Sequence, residues 1–189
     1  LIREGWEVFF ITDQRGSTFA KEFPQQVQTL ILNVKNPLNG KKAQFFSSLC
    51  SMVTSIFIIL RFNLRKKATL IVGFGGYPAL ASMIAAQILR IPSVIHEQNA
   101  VLGRVNRIFK NQAKLLIFGM RPKIIEACKA KTLVLGNPIR ESVMKIAPFD
   151  YSSLPVNSFQ ILVIGGSQGA NFVSMAACEA IINLPEELR

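Results

Sequence analysis

The chain reads as an α/β protein with parallel sheets, organised as two Rossmann-like domains. Three observations predict this. Short apolar runs alternate with helix-length segments along the chain. The run at 70–72 is apolar without alternation, as in a strand buried on both faces, and the next strand follows at 91–95. Glycine clusters stand where strands hand over to helices, around Gly73, Gly75 and Gly76 and again at 165–169.

The elements follow in order. Residues 1–4 read as the tail of a helix stopped by Gly5, and 184–189 stop soon after a helix with no closing structure, so both ends of the fold are expected to be incomplete. Strands are predicted at 7–12 (EVFFIT) and 29–34 (TLILNV), separated by a polar loop at 13–17. Asn36, Pro37, Asn39 and Gly40 make a turn cluster. A long helix should cover 41–63 and a strand 70–73. Pro78 sits where a first helical turn tolerates it, ahead of an Ala-, Leu- and Met-rich helix at 79–89. Strand 92–95 leads to the polar loop His96-Glu97-Gln98-Asn99, at the carboxyl end where open parallel sheets place ligands. Then come helix 102–113, strand 114–118, helix 121–129 and strand 131–135. Gly136-Asn137-Pro138-Ile139-Arg140 breaks the rhythm, and 147–158, with two prolines and three serines, reads as a linker. A new unit opens with strand 160–164, loop 165–169 and helix 170–183. Domains are therefore expected at 1–140 and 159–189, joined by 141–158.

Half of the 189 residues are hydrophobic, enough for a proper core. The net charge of +11 points to an anionic partner such as nucleic acid, an acidic membrane surface or a phosphorylated ligand, or else to general solubility. Nucleic acid is disfavoured, because the basic residues form no recognisable reading motif and few aromatics interleave them. Cys50, Cys128 and Cys178 are far apart and read as reduced thiols. With one histidine and no Cys/His cluster, no metal site is expected.

Glycines before a helix N-terminus let an anion reach unpaired N–H groups. Both glycine loops fit that geometry, or are simply tight turns. Neither matches G-x-G-x-x-G, and neither carries the Lys-Ser/Thr of a P-loop. A nicotinamide enzyme and a P-loop NTPase are thus disfavoured, and no cofactor is expected. His96 reads first as a structural or orienting residue. Asn99, with a donor and an acceptor, suits reading a hydroxyl or amide. Arg140, where one half gives way to the other, suits a phosphate or carboxylate, or is a surface arginine.

The helix from Lys41 shows an apolar stripe of Phe45, Leu49, Met52, Val53, Ile56, Phe57 and Leu60, opposite Ser47, Ser48, Ser51, Thr54 and Ser55. That stripe is expected to pack on the sheet, with Phe46 and Ile58 off it. Lys41, Lys42, Arg61, Arg65, Lys66 and Lys67 flank it. The length raises a transmembrane question, against which the many Ser and Thr residues argue. Basic flanks with some exposed apolar surface fit peripheral attachment to an anionic leaflet.

Four motifs, in order and spacing, give a resemblance over nearly the whole chain. They are Gly73-Phe74-Gly75-Gly76-Tyr77, His96-Glu97-Gln98-Asn99, Gly136-Asn137-Pro138-Ile139-Arg140 and Gly165-Gly166-Ser167-Gln168-Gly169-Ala170. On these the chain resembles the MurG family of UDP-N-acetylglucosamine transferases of peptidoglycan synthesis, within glycosyltransferase family 28. The resemblance implies a GT-B fold of two Rossmann-like domains, here incomplete at both ends, with the first domain facing acceptor and membrane. It implies inverting transfer of N-acetylglucosamine from UDP-N-acetylglucosamine to undecaprenyl-diphosphate-linked lipid I, giving lipid II. The implied location is peripheral, on the cytoplasmic face of the bacterial inner membrane. Carried over by motif, Asn99, Arg140 and Ser167 contact the nucleotide sugar. Gly75, Gly76, Tyr77, His96, Glu97, Gln98, Gly165, Gly166, Gln168 and Gly169 line the cleft. The catalytic base is unassigned and expected upstream of Leu1, so the chain alone is expected to lack transferase activity. Two alternatives stay open: another lipid-acceptor GT-B transferase, and a non-catalytic nucleotide-binding module.

Overall fold

The computed structural model describes residues 1–34, 42–122, 128–146, 161–165 and 170–185, without the side chains of 42–45 and 170. The turn expected at 36–40, Lys41, the linker at 147–158, Ser167 and its loop neighbours 166, 168 and 169 lie outside the described residues. The chain forms two compact units, Leu1–Ile139 and Arg140–Arg189.

In the first unit, β1 (Phe9–Asp13) pairs in parallel with β2 (Gln28–Leu32), Phe9 opposite Gln28 and Asp13 opposite Leu32. The loop after β1 winds into a 3₁₀ helix at Ser17–Glu22, which the composition did not suggest. Asp13 organises it. Its Oδ1 accepts the backbone N–H groups of Arg15 and Gly16, each at 3.1 Å, and its Oδ2 accepts Arg15 Nη2 at 2.7 Å.

β3 (Ile71–Gly73), β4 (Ser93–Glu97), β5 (Leu115–Phe118) and β6 (Lys131–Val134) form a second, four-stranded parallel sheet in that order. Among the described residues no ladder joins β1 to β3. Helix α2 (Gly76–Leu89) packs against both β1 and β3 and carries the core across. Gly73 faces α2, where an added Cβ would stand 3.2 Å from Met83 Sδ. The intervening Val72 is 46% exposed, so β3 is covered on one face only, not the two its apolar sequence suggests.

α2 begins three residues earlier than predicted. Gly75 (φ 89°) and Gly76 (φ 79°) take the left-handed backbone that the turn out of β3 requires, and Pro78 falls in the first turn. The helix stops at Arg90, itself left-handed at φ 55°.

Helix α1 (Lys42–Lys66) is where the sequence misleads. The face that packs on α2 and the β1–β2 sheet carries Ser48, Ser55, Ile59 and Asn63, all buried, with Met52, Ile56 and Leu60 at its margins. Leu49, Val53 and Phe57, expected inside, are exposed together with Phe46, Ile58 and Leu64. Small residues win the interface because α2 presents Ala81 and Ala85, both fully buried, which lets the two helices approach closely. The serines stay satisfied at no cost to that approach: Ser55 Oγ donates to the Ser51 carbonyl at 2.7 Å, and Ser51 Oγ to that of Ser48 at 2.8 Å. The stretch Phe46–Lys66 is long and apolar enough to cross a membrane by length and composition, but its inner side belongs to this core.

Three further boundaries differ. β4 extends through His96 and Glu97, which are strand residues and not loop. The helix predicted over 102–113 is the shorter α3 (Arg104–Phe109). Leu102 is buried ahead of it, Gly103 is extended, and the chain must turn after Phe109 to enter β5. Of the helix expected at 121–129, residues 121–122 and 128–129 are not helical, and 123–127 lie outside the described residues.

The second unit holds the single turn α4 (Glu141–Met144) and α5 (Ala170–Ile182). Of the strand expected at 160–164, residues 161–164 are irregular and exposed, up to 81% at Leu162, and residue 160 lies outside the described residues. A strand exists by pairing, and no described residue offers this run a ladder. On α5, Phe172, Met175 and Ile182 are exposed, so its apolar surface is uncovered.

Candidate functional site

The carboxyl ends of β4, β5 and β6 converge in the first unit and bring two of the sequence motifs into hydrogen-bonding contact. His96 is buried on β4, and its ring lies 5.4 Å from that of Phe74, centre to centre. Its Nε2 stands 3.2 Å from the carbonyl oxygen of Gly136, which fixes Nε2 as the protonated nitrogen. Nδ1 is buried and has no hydrogen-bond partner among the described residues. Asn137 Nδ2 donates to the Gln98 carbonyl at 3.2 Å, and Gln98 Nε2 donates back to that of His96 at 3.2 Å. His96 thus ties the HEQN segment to the GNP segment across 40 positions.

Glu97 is the centre of the site. It is 2% exposed, yet both oxygens are saturated. Oε1 accepts Asn99 N and Asn99 Nδ2, each at 3.1 Å. Oε2 accepts Gly103 N at 2.7 Å and the buried Asn106 Nδ2 at 2.9 Å. Burial by itself raises the carboxyl pKa. The hydrogen bonds from Gly103, Asn106 and Asn99 outweigh burial and hold it below the ordinary glutamate value. Asn99 is exposed, and one Nδ2–H bonds Glu97, which orients the amide and leaves Oδ1 and the second N–H for a ligand.

Beside this cluster, the turn into α2 opens a cavity of about 380 Å³ lined by Gly75, Gly76, Tyr77, Gly103, Arg104 and Asn106, among others. An added Cβ on Gly75 would stand 3.5 Å from Asn106 Nδ2, so the glycine turn rests on the same asparagine that Glu97 holds. Gly75, Gly76, Tyr77, His96, Glu97, Gln98 and Asn99 therefore share one neighbourhood, as do Gly136 and Asn137. Arg140 caps α4 in the second unit through its backbone carbonyl, which accepts Val143 N at 3.0 Å. Gly165 is also in that unit, half-buried. Among the described residues no group of His, Cys, Asp or Glu could hold a metal.

Asn106, Gly103 and Arg104 were not singled out by sequence reasoning. The available signal was weak: an asparagine between Val105 and Ile108 in a predicted helix, which must find a polar partner if buried.

The chain is similar to curated relatives over nearly all of its length. It is 36% identical over 190 aligned residues to the UDP-N-acetylglucosamine–N-acetylmuramyl-(pentapeptide) pyrophosphoryl-undecaprenol N-acetylglucosamine transferase of Rhizobium meliloti (strain 1021). It is 38% identical to the protein of the same name from Brucella abortus (strain S19). Each alignment covers 98% of this chain and 50% or 49% of the relative, so the chain spans about half the length of the curated relatives it matches. The crystal structure of Acinetobacter baumannii MurG superimposes with a TM-score of 0.69 at 23% identity, over 97% of this chain and 51% of that one. The parallel α/β fold expected from the sequence is thereby shared with MurG, over half of that protein. The model of the glycosyltransferase family 28 N-terminal domain matches residues 1–117, and the chain belongs to the family 28 glycosyltransferases.

Proposed function

We propose that this chain contributes the acceptor-side domain and part of the donor site of an inverting transferase. The enzyme moves N-acetylglucosamine from UDP-N-acetylglucosamine to lipid I, giving lipid II. The observation that carries this reading is the hydrogen-bonded junction of the HEQN and GNP segments at the carboxyl ends of β4–β6. Open parallel sheets bind their ligands at that end. Asn99 and Arg140, with Ser167, are proposed to contact the nucleotide sugar. The Gly75–Gly76 turn, with Tyr77, His96, Glu97 and Gln98, is proposed to line the acceptor side. Gly165, Gly166, Gln168 and Gly169 are proposed to line the donor side. No metal is needed where helix N-termini and arginine stabilise the departing diphosphate.

The reading includes peripheral attachment to the cytoplasmic leaflet of the inner membrane. Its support is the exposed stripe of Phe46, Leu49, Val53, Phe57 and Leu64 along α1, together with Arg61, Arg65 and the net charge of +11.

The test is a chimera in which these 189 residues replace the matching half of the Rhizobium meliloti relative. Transfer of radiolabelled N-acetylglucosamine to lipid I is expected, and Arg140→Ala should raise the KM for UDP-N-acetylglucosamine by about tenfold or more. A folded chimera that transfers nothing to lipid I, or an Arg140→Ala chimera with unchanged donor KM, contradicts the reading.

A further inference from the structure

The geometry points to Glu97 as a positioning residue that sets Asn99, the start of α3 and the Gly75 turn, and not as the base that accepts the acceptor's proton. The inference rests on the donor-site reading of Asn99. A glutamate in the cleft of an inverting transferase is an obvious candidate base, since the incoming hydroxyl must lose a proton. A base, however, needs an unoccupied lone pair aimed at that proton.

A carboxylate offers about four acceptor positions, and Glu97 has four donors on them. Two donors come from Asn99 itself, one from its backbone and one from its side chain. The carboxylate therefore fixes both where Asn99 lies and how its amide is turned, with Oδ1 and the second Nδ2–H left for a ligand. The third comes from Gly103, which is extended immediately before α3. A Cβ there would stand 3.4 Å from Glu97 Oε2, so the approach is already at van der Waals contact. The fourth, Asn106, is 3% exposed and stands against the left-handed Gly75. One buried anion thus anchors Asn99 on one side and the glycine turn on the other.

Glu97→Gln is the informative change. It preserves size but turns one acceptor oxygen into an NH₂ group facing two N–H donors. Asn99 loses its fixed orientation, while a side chain that was never the base costs no proton-transfer step. In the chimera, Glu97→Gln should raise the donor KM about tenfold, with kcat changed less than about threefold. In an Asn99→Ala background, Glu97→Gln should add nothing further to the donor KM, because Glu97 acts through Asn99. A kcat loss of about 100-fold or more at unchanged donor KM is the signature of a lost base and overturns the inference. Full additivity of the two changes overturns it as well. If Asn99→Ala alone leaves the donor KM unchanged, the donor-site reading fails instead, and that outcome is read separately.

A measurement on the unsubstituted 189-residue chain does not depend on the variants folding. Carbon-13 NMR follows the Glu97 carboxyl through an acid titration. A midpoint below the ordinary value of 4.5 is expected. A midpoint raised to about 6–7, where a general base is poised, overturns the inference.

Discussion

The side-chain amide of Asn137 occupies the space in which a Cβ on Gly119 would stand. Gly119 also donates its backbone N–H to the Glu97 carbonyl at 2.7 Å, continuing the β4–β5 pairing one step past β5. The glycine is therefore what lets the GNP segment lie against the end of β5 and reach Gln98. Gly119→Ala should push Asn137 away and break its 3.2 Å bond to the Gln98 carbonyl. Asn137 is exposed, so the expected loss is about 1 kcal/mol. Urea denaturation measures it, and an unchanged midpoint would show that Asn137 relocates freely.

Acid should weaken the fold through Glu97 and Asp13. Burial raises the Asp13 carboxyl pKa, but the Arg15 side chain and the Gly16 and Arg15 amides outweigh burial and hold it below 3.8, as Glu97 is held below 4.5. Each favours the ionised form in the folded state. Their stabilisation is therefore complete above those ordinary values and is lost as pH falls through the lower, folded-state values. Wild-type stability, followed by urea midpoint from pH 7 to pH 3, should fall in that acid window. Glu97→Gln should start lower and fall less, because one titrating group is gone. Parallel curves would mean that Glu97 contributes no pH dependence.

The α1–α2 seam should reject bulk. Ala85 is fully buried in the cluster that holds Ile59 and Leu32. Ala85→Leu is expected to cost about 2–3 kcal/mol or more by overpacking. Leu49→Ala, on the opposite face of α1 and 49% exposed, should change stability by less than about 0.5 kcal/mol. Equal effects would place the seam elsewhere.

The outer stripe of α1 should govern membrane binding. Phe57 is 66% and Phe46 67% exposed, so Phe46→Glu with Phe57→Glu should leave the fold intact. The double variant should sediment markedly less with vesicles rich in anionic phospholipid. Unchanged sedimentation would remove this face from the membrane reading.

Helix α5 should exchange its amide hydrogens far faster than α2. It has 13 residues with no described buried side chain, whereas α2 buries Ala81, Met83, Ala85 and Ala86. A helix of that length without packing is marginal in water. Deuterium uptake by mass spectrometry reads the difference, and equal protection would mean that α5 has a cover.

What the sequence determined by itself is local. Apolar runs marked β1 to β6 to within about two residues at most ends, the glycines at 75 and 76 announced the turn into α2, and Gly5 ended the opening helical turn. These depend on backbone sterics and on hydrophobic runs, which neighbouring residues carry. The chemistry of HEQN and GNP was also legible as residue types at a strand end. The tertiary structure alone decided the rest. Which face of α1 turns inward depended on the alanines of α2, 30 residues away in sequence, because close approach of two small faces can outweigh the size of the apolar stripe. Glu97 could be read as a cleft residue, but its four donors come from loop and helix positions that only folding brings together.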